Sequence, residues 1–154
     1  MINRRQVREI ALKALYAFKK SGDTLQHIMD TLVVTELKES KEGRRFAEQL
    51  IFRTIEHEER LVGIIESHTK NWDINRLAFI DQLTLQLALC EFLYFEEIPT
   101  KVTINEAIEI VKRYSTGKSG QFVNGILDAA LEELTKNGEV KKKGRGLIDT
   151  TLRK

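Results

Sequence analysis

The sequence predicts an all-α fold, a single-domain bundle of about seven helices without a β-sheet. Apolar residues recur at helical spacing in successive segments, and no segment between turn residues alternates polar and apolar residues as a half-buried strand does. One segment is apolar on nearly every side, which is typical of a helix at the centre of a bundle. The 154 residues suffice for one domain with a single core, without a disulfide or a metal to stabilise it.

The first helix is predicted by apolar residues at positions i, i+3, i+4, i+7, i+8 and i+11. This stripe consists of Val7, Ile10, Ala11, Ala14, Leu15 and Phe18. Ser21-Gly22-Asp23 ends the helix. A second helix follows, with an apolar face of Leu25, Ile28, Met29, Leu32 and Val33.

A long third helix is predicted after the break at residues 41–43. Its apolar positions are Phe46, Leu50, Ile51, Ile55, Val62 and Ile65. Residues 71–73, around Trp72, interrupt the pattern, and residues 75–78 are expected to form one short turn of helix.

The central helix is predicted over residues 79–95, and Pro99 follows its end. Thr103-Ile104-Asn105-Glu106 fits the capping-box pattern that begins another helix. Ser119 begins the last helix, and Asn137-Gly138 ends it.

Charge divides the chain into two basic ends and an acidic body. Residues 1–20 hold six Lys and Arg against one acid, and residues 136–154 hold seven against two, whereas residues 21–135 have a net charge of −8. Such an asymmetry favours a polyanion as partner of the ends. Residues 1–138 are expected to form the helical domain, and residues 139–154 a basic, disordered tail.

Composition and spacing argue against most other classes of protein. The single Cys90 excludes an internal disulfide and suits a reducing compartment, so we expect a cytoplasmic protein. No uncharged stretch approaches the ~20 residues of a membrane span, and we expect no membrane partner. The three histidines lack metal-ligand spacing, and Gly117-Lys118-Ser119 lacks the first glycine of a P-loop. We therefore expect no enzyme, no cofactor and no metal.

Three arginines crowd the start of the first helix, namely Arg4, Arg5 and Arg8. The helix macrodipole is positive there, and it disfavours each cation by roughly 0.3–1 kcal/mol. Cations beside free backbone N–H groups are what a phosphate would bind. The sequence therefore predicts a phosphate site, and the alternative is a solvated basic terminus.

Asn124-Gly125 usually marks a tight turn, but here the apolar pattern continues through it. Gly125 is therefore expected inside a helix, at a cost of about 1 kcal/mol relative to alanine. Either the close approach of another helix or contact with a ligand would explain a glycine at this position.

A family resemblance is carried by the segments Arg4 to Tyr16, Trp72 to Leu77 with Asp81, Leu87 to Phe92, Val102 to Glu109, and Phe122 to Asp128. Together, over about residues 4–134, these segments resemble the NusB family of bacterial transcription antitermination proteins. The resemblance implies a non-catalytic helical factor that binds single-stranded, boxA-like RNA of ribosomal RNA leaders. It also implies an action together with ribosomal protein NusE on the transcription elongation complex.

The resemblance also assigns residues. RNA-binding positions of the family fall here on Arg4, Arg5, Arg8, Tyr16, Lys101 and Phe122. Positions that face NusE fall on Asp81, Lys118 and Phe122. Two residues depart from the family: Gln86 stands where many members have an arginine, and Lys118 stands where some have an acid.

Two alternatives remain open at this point. One is a stand-alone helical RNA-binding module related to that of ribosomal RNA methyltransferases. The other is a helical scaffold or homodimer without specific RNA binding.

Overall fold

The computed structural model describes residues 3–69 and 77–148. By their contacts, the residues form two compact units, Met1–Glu56 and His57–Lys154. All regular structure in the described residues is helical, with seven helices and no strand. The predicted all-α class is therefore confirmed.

The first unit contains three helices. Helix α1 is Arg4–Ser21, α2 covers residues 25–36, and α3 is Lys41–Glu56. A π-helical turn, Met29–Val33, lies in the middle of α2. Helix α1 packs against both α2 and α3. Most of the predicted stripe of α1 is buried, namely Val7, Ile10, Ala11, Ala14 and Leu15.

The second unit contains four helices and a short 3₁₀ turn. These are α4 Glu58–Ser67, α5 Phe79–Tyr94, α6 Thr100–Tyr114, α7 Ser119–Lys136, and the 3₁₀ turn Gly144–Leu147. Helix α5 packs against α4, α6 and α7, and every residue from Leu83 to Phe92 is buried. The prediction that the most apolar helix is central is confirmed within this unit.

The predicted long third helix is wrong, because the chain leaves the helical conformation at His57. The His57 ring stacks on the ring of Tyr94, with centroids 4.1 Å apart. Because His57 alone separates the two helices, the apolar spacing of the first helix continues almost unchanged into the second. The spacing alone therefore did not reveal the break. Of the short turn predicted at 75–78, residues 75 and 76 lie outside the described residues, and Leu77 and Ala78 are not helical.

Helix α6 begins at Thr100, three residues before the predicted capping box. Pro99 is the N-cap, and the Thr103 hydroxyl instead donates a buried hydrogen bond of 2.7 Å to Oε1 of Glu91 in α5. The motif was therefore misread. Its Thr and Glu have the right spacing for a cap, but the buried carboxylate of Glu91 binds the hydroxyl.

The basic tail begins with a segment that contacts the carboxyl end of α5. The Lys142 ammonium donates to the carbonyls of Glu91 and Phe95 at 3.0 and 2.7 Å, and the Lys143 amide donates to the Glu96 carbonyl at 3.0 Å. Residues 149–154 lie outside the described part of the chain. The division at residue 138 stays a prediction.

Candidate nucleic-acid interface

The start of α1 presents two exposed arginines and buries a third. Arg4 and Arg5 are exposed, whereas Arg8 is only 5% exposed. Tyr16 lies three turns further along the same helix and is 41% exposed. The structure thus leaves two of the three predicted arginines, and the predicted tyrosine, open to a ligand.

The guanidinium groups of Arg4 and Arg8 lie over the aromatic ring of Phe46 in α3. The Arg4 guanidinium carbon lies 3.9 Å from the centroid of the Phe46 ring, and that of Arg8 lies 5.4 Å from it. Phe46 is buried, so its position is set by the core of the unit. A cation over an aromatic face gains ~0.5–2 kcal/mol. This attraction offsets the unfavourable helix dipole and fixes the direction of Arg4.

Two backbone N–H groups at this helix start already have side-chain acceptors. Asn3 and Gln6 form a capping box, in which the Gln6 amide donates to Oδ1 of Asn3 at 2.9 Å and the Asn3 amide donates to Oε1 of Gln6 at 2.8 Å. The expectation that the backbone N–H groups are free was therefore wrong for Gln6. The Asn-x-x-Gln spacing was the signal that could have revealed the cap.

The second unit carries the remaining predicted residues near the starts of α6 and α7. Lys101 is exposed in the first turn of α6, and Lys118 is exposed directly before α7. Phe122 is half-buried, and its amide donates to the Lys118 carbonyl at 3.2 Å. Lys118 and Phe122 are therefore one helical turn apart on the same side of α7.

Asp81 is buried in the first turn of α5, with 5% of the residue exposed. Its Oδ2 accepts a hydrogen bond of 2.8 Å from the hydroxyl of Ser119, the first residue of α7. The resemblance placed Asp81 on a partner-facing surface, whereas its carboxylate here joins two helices. Sequence reasoning identified Ser119 only as a helix start.

Two further positions are resolved by burial. Gln86, which stands at an arginine position of the family, is 6% exposed within α5. Gly125 lies inside α7 as predicted, but a Cβ built on it would meet no atom of the described residues within 4 Å. The explanation by close approach of another helix is therefore wrong, and contact of this exposed position with a ligand stays a prediction.

The described residues contain no group of three or more His, Cys, Asp or Glu that could hold a metal ion. No helix within 3–69 and 77–148 is long and apolar enough to cross a membrane. The candidate binding residues are exposed cations, together with the exposed ring of Tyr16 and the half-buried ring of Phe122. Cations combined with aromatic rings are typical of a nucleic-acid-binding surface.

The chain belongs to the NusB family, whose family model matches residues 5–132. It is 46% identical over 148 residues to the transcription antitermination protein NusB of Salinibacter ruber, covering 96% of this chain and 92% of the relative. It is 39% identical to that of Chloroherpeton thalassium, over 100% of this chain and 73% of the relative. The family resemblance and the non-catalytic class are thereby confirmed.

Solved structures agree with this assignment. NusB of T. maritima superposes with a TM-score of 0.77 at 35% identity, covering 86% of this chain and 92% of that one. A chain from a crystal structure described as antitermination factors NusB and NusE in complex with dsRNA superposes with a TM-score of 0.75 at 25% identity. That alignment covers 84% of this chain and 96% of the other.

Proposed function

We propose that this protein is a transcription antitermination factor that binds single-stranded, boxA-like RNA together with ribosomal protein NusE. The observation that carries the proposal is the exposed pair Arg4 and Arg5, on a first turn without an acid, in a chain of the NusB family. The similar chain described in complex with NusE and double-stranded RNA supports NusE and RNA as partners, and the single-stranded form of the RNA rests on the family resemblance.

The chemistry of recognition follows from the types of side chain. Guanidinium forks of Arg4 and Arg5 bind backbone phosphates, with Lys101 as a further point charge. The rings of Tyr16 and Phe122 stack on unpaired bases. Arg8 was predicted as a phosphate ligand, but its burial assigns it a supporting role next to Arg4 and Phe46.

The partner surface is proposed around Lys118, the N-cap residue of α7, and Phe122, which lies one helical turn further along. With NusE bound there, the RNA complex acts on the transcription elongation complex in the cytoplasm. Phe122 then contributes to both interactions, so RNA and NusE binding are expected to be coupled.

Isothermal calorimetry with purified NusE and a boxA RNA oligonucleotide tests this function. We expect one NusE per chain, and an RNA affinity that rises when NusE is present. Thermodynamic linkage requires RNA to tighten the protein pair by the same factor. No heat with NusE, and equal affinity for boxA and scrambled RNA, would overturn the proposal and favour a scaffold or homodimer.

A further inference from the structure

The turn between α6 and α7 is held by a single buried hydroxyl. Ser119 Oγ lies 2.8 Å from Oδ2 of Asp81, 3.0 Å from the Ser115 hydroxyl and 3.0 Å from the Thr116 hydroxyl. It also accepts a hydrogen bond of 3.3 Å from the Thr116 amide. One oxygen thus joins the start of α5, the start of α7 and the turn between α6 and α7.

The directions of these bonds follow from the number of protons. Ser119 has one hydroxyl proton, and the carboxylate of Asp81 is the strongest acceptor near it. The proton therefore points to Asp81, and the lone pairs of Ser119 Oγ accept from Ser115 or Thr116. Removing the Ser119 hydroxyl would remove all four contacts, and removing Asp81 would take away the acceptor that orients the Ser119 proton.

Helix α7 lacks the usual means of fixing its first turn. Its N-cap residue is Lys118, whose side chain has no acceptor atom and makes no capping hydrogen bond. The Asp81 carboxylate instead places negative charge close to the positive end of α7. In the absence of a capping side chain, the hydrogen bond between Ser119 and Asp81 holds the start of α7, next to which Lys118 and Phe122 lie.

The burial of this pair shows that it acts inside the unit. Asp81 and Ser119 are each nearly fully buried, so neither offers a contact surface. Oδ1 of Asp81 has no hydrogen-bond partner within the described residues, so the carboxylate is held there by the hydrogen bond from Ser119 to Oδ2.

We propose that Asp81 is a positioning residue that acts through Ser119, setting the direction of the first turn of α7 for binding of NusE and RNA. The inference rests on the proposed function. It replaces a direct partner contact of Asp81 with an indirect one. Lys118 and Phe122 make the contacts, and the buried pair holds them in the conformation that binds.

The test uses the full chain with Asp81→Ala, Ser119→Ala and the double variant, each titrated with NusE and boxA RNA. We expect each single change to weaken NusE binding about tenfold, the loss typical of a hydrogen bond to a charged group. The double variant is expected to be no weaker than the single variants, because the two residues act as one unit. Asp81→Asn is expected to retain most of the affinity, since its amide oxygen still accepts from Ser119.

Two controls separate a positioning role of Asp81 and Ser119 from a general loss of stability. Leu134→Ala removes a buried side chain near the carboxyl end of α7 and should lower the melting temperature without weakening NusE binding. Thr84→Val removes a buried hydroxyl of α5 that has no hydrogen-bond partner in the described part of the chain, and should change neither quantity. Amide hydrogen exchange at Thr116 should accelerate in Ser119→Ala and Asp81→Ala, but not in Leu134→Ala.

Each outcome decides one point. Wild-type protein that binds neither NusE nor RNA would overturn the proposed function and this inference together. If Asp81→Ala and Ser119→Ala bind NusE and RNA as tightly as the wild type does, this inference alone is overturned. If Leu134→Ala weakens NusE binding as much as they do while lowering the melting temperature equally, Asp81 and Ser119 have only a structural role.

Discussion

The Phe46 ring lies directly below the Arg4 guanidinium and farther from that of Arg8. Arg4 also lies 3.9 Å from the Glu42 carboxylate, a contact in which both side chains are largely exposed. An exposed pair at this distance adds little to stability. The buried ring therefore supports the direction of Arg4 more than this ion pair does.

At the scale of single residues, Arg4→Ala and Arg5→Ala are expected to reduce the salt dependence of RNA binding. The slope of log affinity against log salt is about −0.7 per phosphate neutralised on single-stranded RNA. Each change should therefore flatten the slope by about that amount, measured by salt titration with boxA RNA. Lys13→Ala is the matched control, because Lys13 is an exposed cation elsewhere on α1. Slopes parallel to the parent for both arginine variants would show that these cations are merely solvated.

Arg8→Ala is expected to behave differently, because Arg8 is buried beside Phe46. The variant should leave the salt slope nearly unchanged and lower the melting temperature. Arg5→Ala should be at least as stable as the parent, since it relieves the conflict with the helix dipole. A flattened slope for Arg8→Ala at unchanged stability would instead make Arg8 a phosphate ligand.

The two aromatic residues are expected to contribute through stacking. Tyr16→Ala and Phe122→Ala should each weaken RNA binding by ~1–3 kcal/mol with little change in salt slope. Tyr16→Phe keeps the ring and should retain the affinity. A slope that changes with the loss of the ring, or an unchanged affinity, would contradict base stacking at these positions.

At the scale of helices, two glycines with opposite surroundings give a matched pair. A Cβ on Gly125 of α7 meets open space, whereas one on Gly43 of α3 would lie 2.8 Å from Oγ of Ser40. That hydroxyl accepts the Gly43 amide hydrogen at 3.0 Å, so it cannot move away without losing a hydrogen bond.

Gly125→Ala is therefore expected to stabilise the protein by up to ~1 kcal/mol, and Gly43→Ala to destabilise it. Chemical denaturation of both variants measures the difference. A side chain at Gly125 is not expected to overpack the protein, because a Cβ there meets no atom of the described residues within 4 Å. A stable Gly125→Ala protein that loses RNA or NusE binding would place this face of α7 in the ligand interface. Destabilisation would contradict the exposed position of Gly125.

At the scale of the whole molecule, the basic tail is expected to stabilise the fold through Lys142 and to attract RNA through its positive charge. Separate variants distinguish these two effects. Lys142→Met removes the ammonium that binds two carbonyls at the end of α5, and should cost roughly 1–2 kcal/mol of stability. Lys141→Met removes the same charge from an exposed neighbour and should leave thermal stability unchanged. Equal melting temperatures for both variants would show that the Lys142 contacts contribute nothing.

Truncation after Gly138 is expected to weaken binding to all RNAs alike, because the removed residues 139–154 carry six positive charges and two negative ones. The ratio of affinities for boxA and scrambled RNA should stay constant, since phosphate contacts carry no sequence information. The truncated protein should also be less stable, through the loss of Lys142. Collapse of the affinity ratio would show that the tail reads sequence.

The sequence by itself determined the all-α class, the buried stripe of α1, the central position of α5 in its unit, and the family. These features are recorded in apolar spacing within one helix, and in local motifs, so they require no knowledge of neighbouring helices. The cluster of arginines at the start of α1 was also predicted, because its members are close together in the sequence.

The tertiary structure alone decided which of the predicted site residues are exposed and which are buried. Phe46 beneath Arg4, and Ser119 against Asp81, join separate helices, the latter pair at a sequence separation of 38 residues. Helical periodicity gives the face on which a residue lies, but not the side chain that meets it from another helix. Arg8 and Asp81 are buried because such partners cover them, and for that physical reason no spacing rule could separate Arg8 from Arg4 and Arg5.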